Sequence, residues 1–112
     1  MDKKIKIAVS SFEKDPSAIK FKFFMNGEKR TGFALLFDGG YYVYRNQCQH
    51  LPVELDWEEN DFFDEDNKLI VCATHGALYQ PQSGLCVAGP CNGERLISMP
   101  FEVVKNNIVI TV

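Results

Sequence analysis

Cys48-Gln49-His50 and Cys72-Ala73-Thr74-His75-Gly76 are the stretches on which the reading of this chain turns. The chain has two histidines in all, and each stands beside a cysteine at ligand spacing, with twenty-one residues between His50 and Cys72. A lone histidine is more often a surface or core residue than a ligand, but both histidines falling at such positions point to a metal site. Two thiolates and two imidazoles also make a tetrahedral structural zinc site, whose usual pattern puts a Cys-x-x-Cys pair in one loop and paired histidines on a helix. Here each stretch contributes one cysteine and one histidine. That division suits a two-iron cluster in which one iron takes both thiolates and the other both imidazoles.

Outward from these stretches, helical periodicity is absent and short apolar runs broken by turn residues recur, the pattern of an all-β domain built of antiparallel sheets. The runs predict strands over 5–9, 21–25, 33–37, 41–44, 68–71, 101–104 and 108–112. Asn26-Gly27, Asp38-Gly39-Gly40 and Asn106-Asn107 stand between consecutive runs and predict three hairpins, because each supplies residues that tolerate positive φ. The span 45–100 holds all four cysteines, both histidines, the one tryptophan and four of the five prolines, with only brief strand candidates. It reads as a loop-rich subdomain inserted on a base of sheet. With 112 residues and 12.7 kDa, the chain is expected to form one domain over 1–112.

The first residues alternate charged and apolar side chains and build no signal-peptide core, and no membrane span is visible, so a cytoplasmic location is expected. Reduced thiols in that compartment favour metal binding over disulfides. The net charge of -3 leaves no basic footprint for nucleic acid. The charge is unevenly spread: 54–66 holds eight acidic residues and no basic one, so the remainder has twelve positive against seven negative charges, or +5. Such a run is usually a solvated loop. Trp57, Phe62 and Phe63 lie within it, and the simplest reading is that these rings pin the segment to the core.

Taken with Leu78-Tyr79, Ser83-Gly84 and Gly89-Pro90, the two ligand stretches closely resemble the Rieske [2Fe–2S] family over about residues 43–104. The match takes in two ligand loops, a His-Gly-x-x-Tyr stretch, a Ser-Gly turn and a third loop whose proline covers the cluster. The resemblance implies a Rieske-type fold and one [2Fe–2S] cluster, with Cys48 and Cys72 on the buried iron and His50 and His75 on the outer one through Nδ1. Two ferric ions, two sulfides and two thiolates sum to zero charge, whereas four thiolates leave -2, so an electron is added more easily here than to a four-cysteine cluster.

High-potential members of the family have a serine after the glycine that follows the second histidine, and a disulfide between the ligand loops. This chain has Ala77 at the first position, retains Tyr79, and has no cysteine among Leu51, Pro52, Val53, Ala73 and Thr74. A low to intermediate potential and a soluble, ferredoxin-like character follow. Cys86 and Cys91 fall outside the ligand motifs and are expected to pack as small apolar residues, a redox pair being the alternative.

The function so implied is one-electron transfer between a reductase and an oxygenase or other acceptor, with docking near the cluster and the acidic segment 54–66. A catalytic oxygenase would need a further iron held by two histidines and a carboxylate, and both histidines are already assigned. A redox- or iron-sensing interaction module and a structural zinc domain are the alternative classes.

Overall fold

The structure, a computed structural model, describes residues 4–46, 63, 68–71, 77–89 and 93–111. Among the described residues, nine strands make three antiparallel sheets: β1 (Lys4–Ala8), β2 (Ser17–Met25), β3 (Glu28–Phe37), β4 (Gly40–Arg45), β5 (Ile70–Val71), β6 (Leu78–Tyr79), β7 (Cys86–Ala88), β8 (Phe101–Val104) and β9 (Asn107–Thr111). The terminal sheet has the order β1-β9-β8, the middle sheet β2-β3-β4 and the outer sheet β5-β6-β7. Among the described residues, helix is confined to one 3-10 turn, Val9–Ser11, and no helix is long and apolar enough to cross a membrane.

The middle sheet is covered on both faces. Successive side chains of a strand point to opposite faces, and β3 uses both: Phe33 and Leu35 enter one core, Ala34 the other. The first core joins Ala18, Phe33, Leu35 and Tyr44 of the middle sheet to Ile70, Tyr79 and Cys86 of the outer sheet and to Ala77. The second joins Phe21, Phe23, Ala34 and Val43 to Ile7, Ile108 and Ile110 of the terminal sheet. A strand buried on both faces reads as a continuous apolar run, and Phe33-Ala34-Leu35-Leu36-Phe37 is one. Each of the seven predicted strands has a counterpart, although that over 68–71 is strand only at Ile70–Val71 and the first ends at Ala8, with Val9 in the 3-10 turn. β3 extends beyond its apolar run because the polar residues 28–31 pair with Lys22 through Met25, and β2 because residues 17–20 pair with Phe33 through Leu36.

Two of the predicted hairpins turn where expected, at Asn26 (φ 52) with Gly27 (φ 78) and at Asp38 (φ 49) with Gly39 (φ 79). The Asp15 carboxylate accepts from the backbone N–H groups of Asp38 and Gly39 at 2.9 and 2.8 Å, closing the second. The third turn corrects the sequence reading. Its positive φ values fall at Lys105 and Asn106, while Asn107 begins β9. Pairing Val103 with Ile108 and Phe101 with Ile110 keeps both isoleucines fully buried. A one-residue slip would send them to the opposite face, so burial sets the turn.

Tyr44 links the middle and outer layers. Its ring packs beside Phe33 and its hydroxyl donates to the Pro81 carbonyl at 2.7 Å. Burial, and secondarily the neighbouring Tyr42, push its pKa from 10.0 up to about 12. The unfolded phenol ionises first, so the stabilising contribution of Tyr44 is complete below pH 10 and is lost as pH rises through about 12. Subtracting the 295 nm titration of Tyr44→Phe from that of the unsubstituted protein should leave one phenol with a midpoint near 12. The unsubstituted protein should also lose urea stability more steeply than the variant across that window; a difference titration centred at 10 would contradict this account.

Gly32 stands opposite Phe21 in the β2–β3 ladder, and a Cβ there would lie 2.5 Å from Phe21 Cζ. The ring occupies the space that the missing side chain leaves. Gly32→Ala should therefore destabilise the fold by about 1–3 kcal/mol through overpacking, read as a lower midpoint in urea unfolding.

Candidate metal centre

The sequence-predicted ligands Cys48, His50, Cys72 and His75 lie outside the described residues, as do Pro90, Cys91, Trp57, Phe62 and all of 54–66 except Phe63. What the structure shows is the frame from which these spans depart. β4 ends at Arg45, and Asn46, buried, donates its backbone N–H to Thr31 O at 2.9 Å. Cys48 follows two positions later. In the outer sheet Val71 pairs with Leu78, so Cys72 and His75 belong to the span that joins this adjacent pair.

Leu78 also pairs with Ala88, so the end of β5, the start of β6 and the end of β7 lie at one end of the outer sheet. The chain continues there into Gly89 and then Pro90, the residue that the family resemblance places over the cluster. Gly89 has φ +97, and a Cβ on it would lie 2.8 Å from Ala77 Cα. Only glycine combines that backbone conformation with so close an approach. Ala77 itself is fully buried. The backbone is thus closed tightly over the residue that follows the second ligand stretch, a seat that any side chain at position 89 would fill.

The other family positions have defined roles in this frame. Ser83 and Gly84 form a turn as expected: Gly84 (φ +74) donates its N–H to Gln80 O at 2.8 Å, and Ser83 Oγ accepts from Leu85 N at 3.2 Å. Tyr79 is fully buried in the core between the middle and outer sheets. Cys86 packs in the same core at 1% exposure, as expected of a small apolar residue, with its Sγ 3.3 Å from Ala88 O. Phe63 stacks on Phe37 with ring centroids 6.3 Å apart and planes 13° apart, and bridges to Ile70. Phe63, the described residue of the acidic segment, packs against the core.

Two features went unread in the sequence. The Gly89–Ala77 seat left no signal beyond a glycine before a proline, and Tyr44 looked like one more aromatic in a strand. Both depend on contacts between residues far apart in the chain.

The residues present fit a two-iron cluster. The donor set expected from the sequence is two thiolates and two imidazoles, and the described strands on either side of 72–76 meet at the end of the outer sheet where Gly89 leaves room for close backbone approach. Two cysteines and two histidines with one thiolate–imidazole pair per span are the donors of a Rieske centre.

Comparison with known proteins agrees with this frame. The family model described as Rieske [2Fe-2S] domain matches residues 8–106. Among solved structures, the fold is similar to the ferredoxin of carbazole 1,9a-dioxygenase from Nocardioides aromaticivorans IC177, with a TM-score of 0.66 and 17% identity over 93% of this chain and 91% of that one. A chain in a complex of reduced oxygenase and oxidized ferredoxin in carbazole 1,9a-dioxygenase gives a TM-score of 0.70 and 18% identity over 96% and 91% of the two chains. The terminal oxygenase of carbazole 1,9a-dioxygenase from Novosphingobium sp. KA1 gives 0.73 and 16% identity, with 97% of this chain matched to 29% of that one. No curated protein matches the chain in sequence. The match over residues 8–106, on an all-β frame whose strands lead into both ligand stretches, shows that this chain belongs to the Rieske [2Fe–2S] family.

Proposed function

We propose that this protein is a one-electron carrier of the ferredoxin type, passing electrons from a reductase to an oxygenase or another redox acceptor in the cytoplasm. The observation behind this reading is the extent of the structural likeness. The chain matches 91% of the Nocardioides ferredoxin and 29% of the Novosphingobium oxygenase, so the likeness takes in nearly the whole of the carrier. The inventory agrees, since both histidines belong to the cluster stretches and none is left for a mononuclear iron.

In this reading Cys48 and Cys72 hold one iron and His50 and His75 the other. The cluster supplies a site that gains and loses one electron with little change in structure. The chain's own residues do the rest: Gly89 closes over Ala77 beside the second ligand stretch, and the core around Tyr79 and Cys86 keeps the outer sheet in place. Ala77 brings a methyl group where a hydroxyl donor would raise the potential, which favours the low to intermediate part of the family range. The acidic segment 54–66 lies in sequence between the two ligand pairs and gives a basic partner a surface to find by charge.

Anaerobic purification followed by iron, sulfide and zinc counts tests the centre itself. Two irons and two sulfides per chain are expected, with a red-brown colour and a reduced-state paramagnetic resonance signal. His75→Ala should abolish that signal while the chain still folds. Equimolar zinc without sulfide would overturn the reading.

Docking is tested separately. Replacing the carboxylates of 54–66 by amides should slow electron transfer to a basic partner by about tenfold or more at low ionic strength and flatten its salt dependence. Stopped-flow traces that coincide with those of the unsubstituted protein at every salt concentration would place docking elsewhere.

A further inference from the structure

Three stretches of backbone meet around one side chain. Tyr44 stands next to last in β4 and four positions before Cys48. Its hydroxyl donates to Pro81 O at 2.7 Å, in the hairpin that joins β6 to β7. Its ring lies against Gly84 of that hairpin: a Cβ on Gly84 would be 3.0 Å from Tyr44 Cε1 and 3.3 Å from Leu96 Cβ. Its backbone bridges to Ser98, while Leu96 donates its N–H to Gly84 O at 2.8 Å. The strand leading to the first ligand pair, the hairpin following the second and the segment returning to β8 are all within reach of this residue.

We propose that Tyr44 is a positioning residue of the metal centre, holding the strand that leads to Cys48 and His50 against the hairpin that follows Cys72 and His75. Among the described residues no strand of the middle sheet is hydrogen-bonded in a ladder to a strand of the outer sheet. Segment 94–99 links the two layers through backbone bonds to Val43 and Arg45 of β4 and to Gly84 and Cys86 of the outer layer, and the Tyr44 hydroxyl adds a direct side-chain bond between them. The apolar contacts of the intervening core are non-directional, whereas the bond from Tyr44 to Pro81 O has one direction and one length. The hydroxyl is buried, so breaking the bond leaves the Pro81 carbonyl without that partner and loosens the hairpin relative to β4. Gly84 contributes by admitting the ring: its φ of +74 and its missing side chain let Tyr44 reach across.

This inference rests on the two ligand pairs binding one cluster. The test compares Tyr44→Phe, which keeps the ring and removes the hydroxyl, with Ile108→Val, which weakens the other core at a similar cost to global stability. In the holoprotein, Tyr44→Phe should release iron to a chelator about two- to tenfold faster, the factor that one hydrogen bond supplies. It should also broaden the paramagnetic resonance lines of the reduced cluster, because the two ligand pairs then sample a wider range of relative positions. Ile108→Val should change neither. Equal effects of the two variants, or no effect of Tyr44→Phe, would overturn the proposal. Should the purified chain contain no iron, the functional reading falls, and amide exchange still judges Tyr44: Tyr44→Phe must raise exchange over 78–88 and not over β1 and β9, and uniform exchange would refute the role.

Discussion

The rest of the fold depends on the burial of the middle sheet on both faces. β3 has no solvent side along Gly32, Phe33, Ala34 and Leu35, so each of these side chains has a volume dictated by a layer above or below. Close packing of that kind leaves little tolerance for volume change. Gly32 gives its space to the Phe21 ring, and Ala34 is small where Phe21 and Phe23 approach from β2. The terminal sheet takes its register from the same constraint, since Ile108 and Ile110 reach the core only if β9 begins at Asn107.

On the opposite face, the outer sheet is small. Its strands are two, two and three residues long, too short to persist on ladder hydrogen bonds alone. What holds them is the core of Ile70, Ala77, Tyr79 and Cys86 against Phe33, Leu35 and Tyr44. The economy has a functional consequence. Because the strands end almost as soon as they begin, both sides of the second ligand stretch and the Gly89 turn are anchored within a few residues of the core. An electron carrier gains from such anchoring, because a centre that moves little on reduction has little reorganisation to undergo. Phe63, stacked on Phe37, extends the anchoring to the acidic segment that lies in sequence between the ligand pairs.

Local chemistry made much of this legible. Asn26-Gly27 and Asp38-Gly39 announce hairpins because few other residues accept positive φ at two successive positions, and both turns occur there. The third hairpin was misplaced by one residue because Lys105 has no intrinsic preference for that conformation; the burial of Ile108 imposes it. β6 and β7 were not separately legible, since two or three residues cannot display a period. At the site, residue chemistry was informative where geometry was not. A thiolate and an imidazole at ligand spacing are recognisable without coordinates. The approach of Gly89 to Ala77 and the reach of Tyr44 to Pro81 are not, because each joins residues at least twelve positions apart.

By itself the sequence determined the family, the all-β class and most of the turns, because these depend on side-chain chemistry and on backbone preferences within a few residues. Only the tertiary structure decided which face each strand buries, where β9 begins, and how a tyrosine near the end of β4 is tied to the hairpin after the second ligand stretch. Those outcomes depend on which surfaces meet, and burial between layers is a property of the assembled sheets.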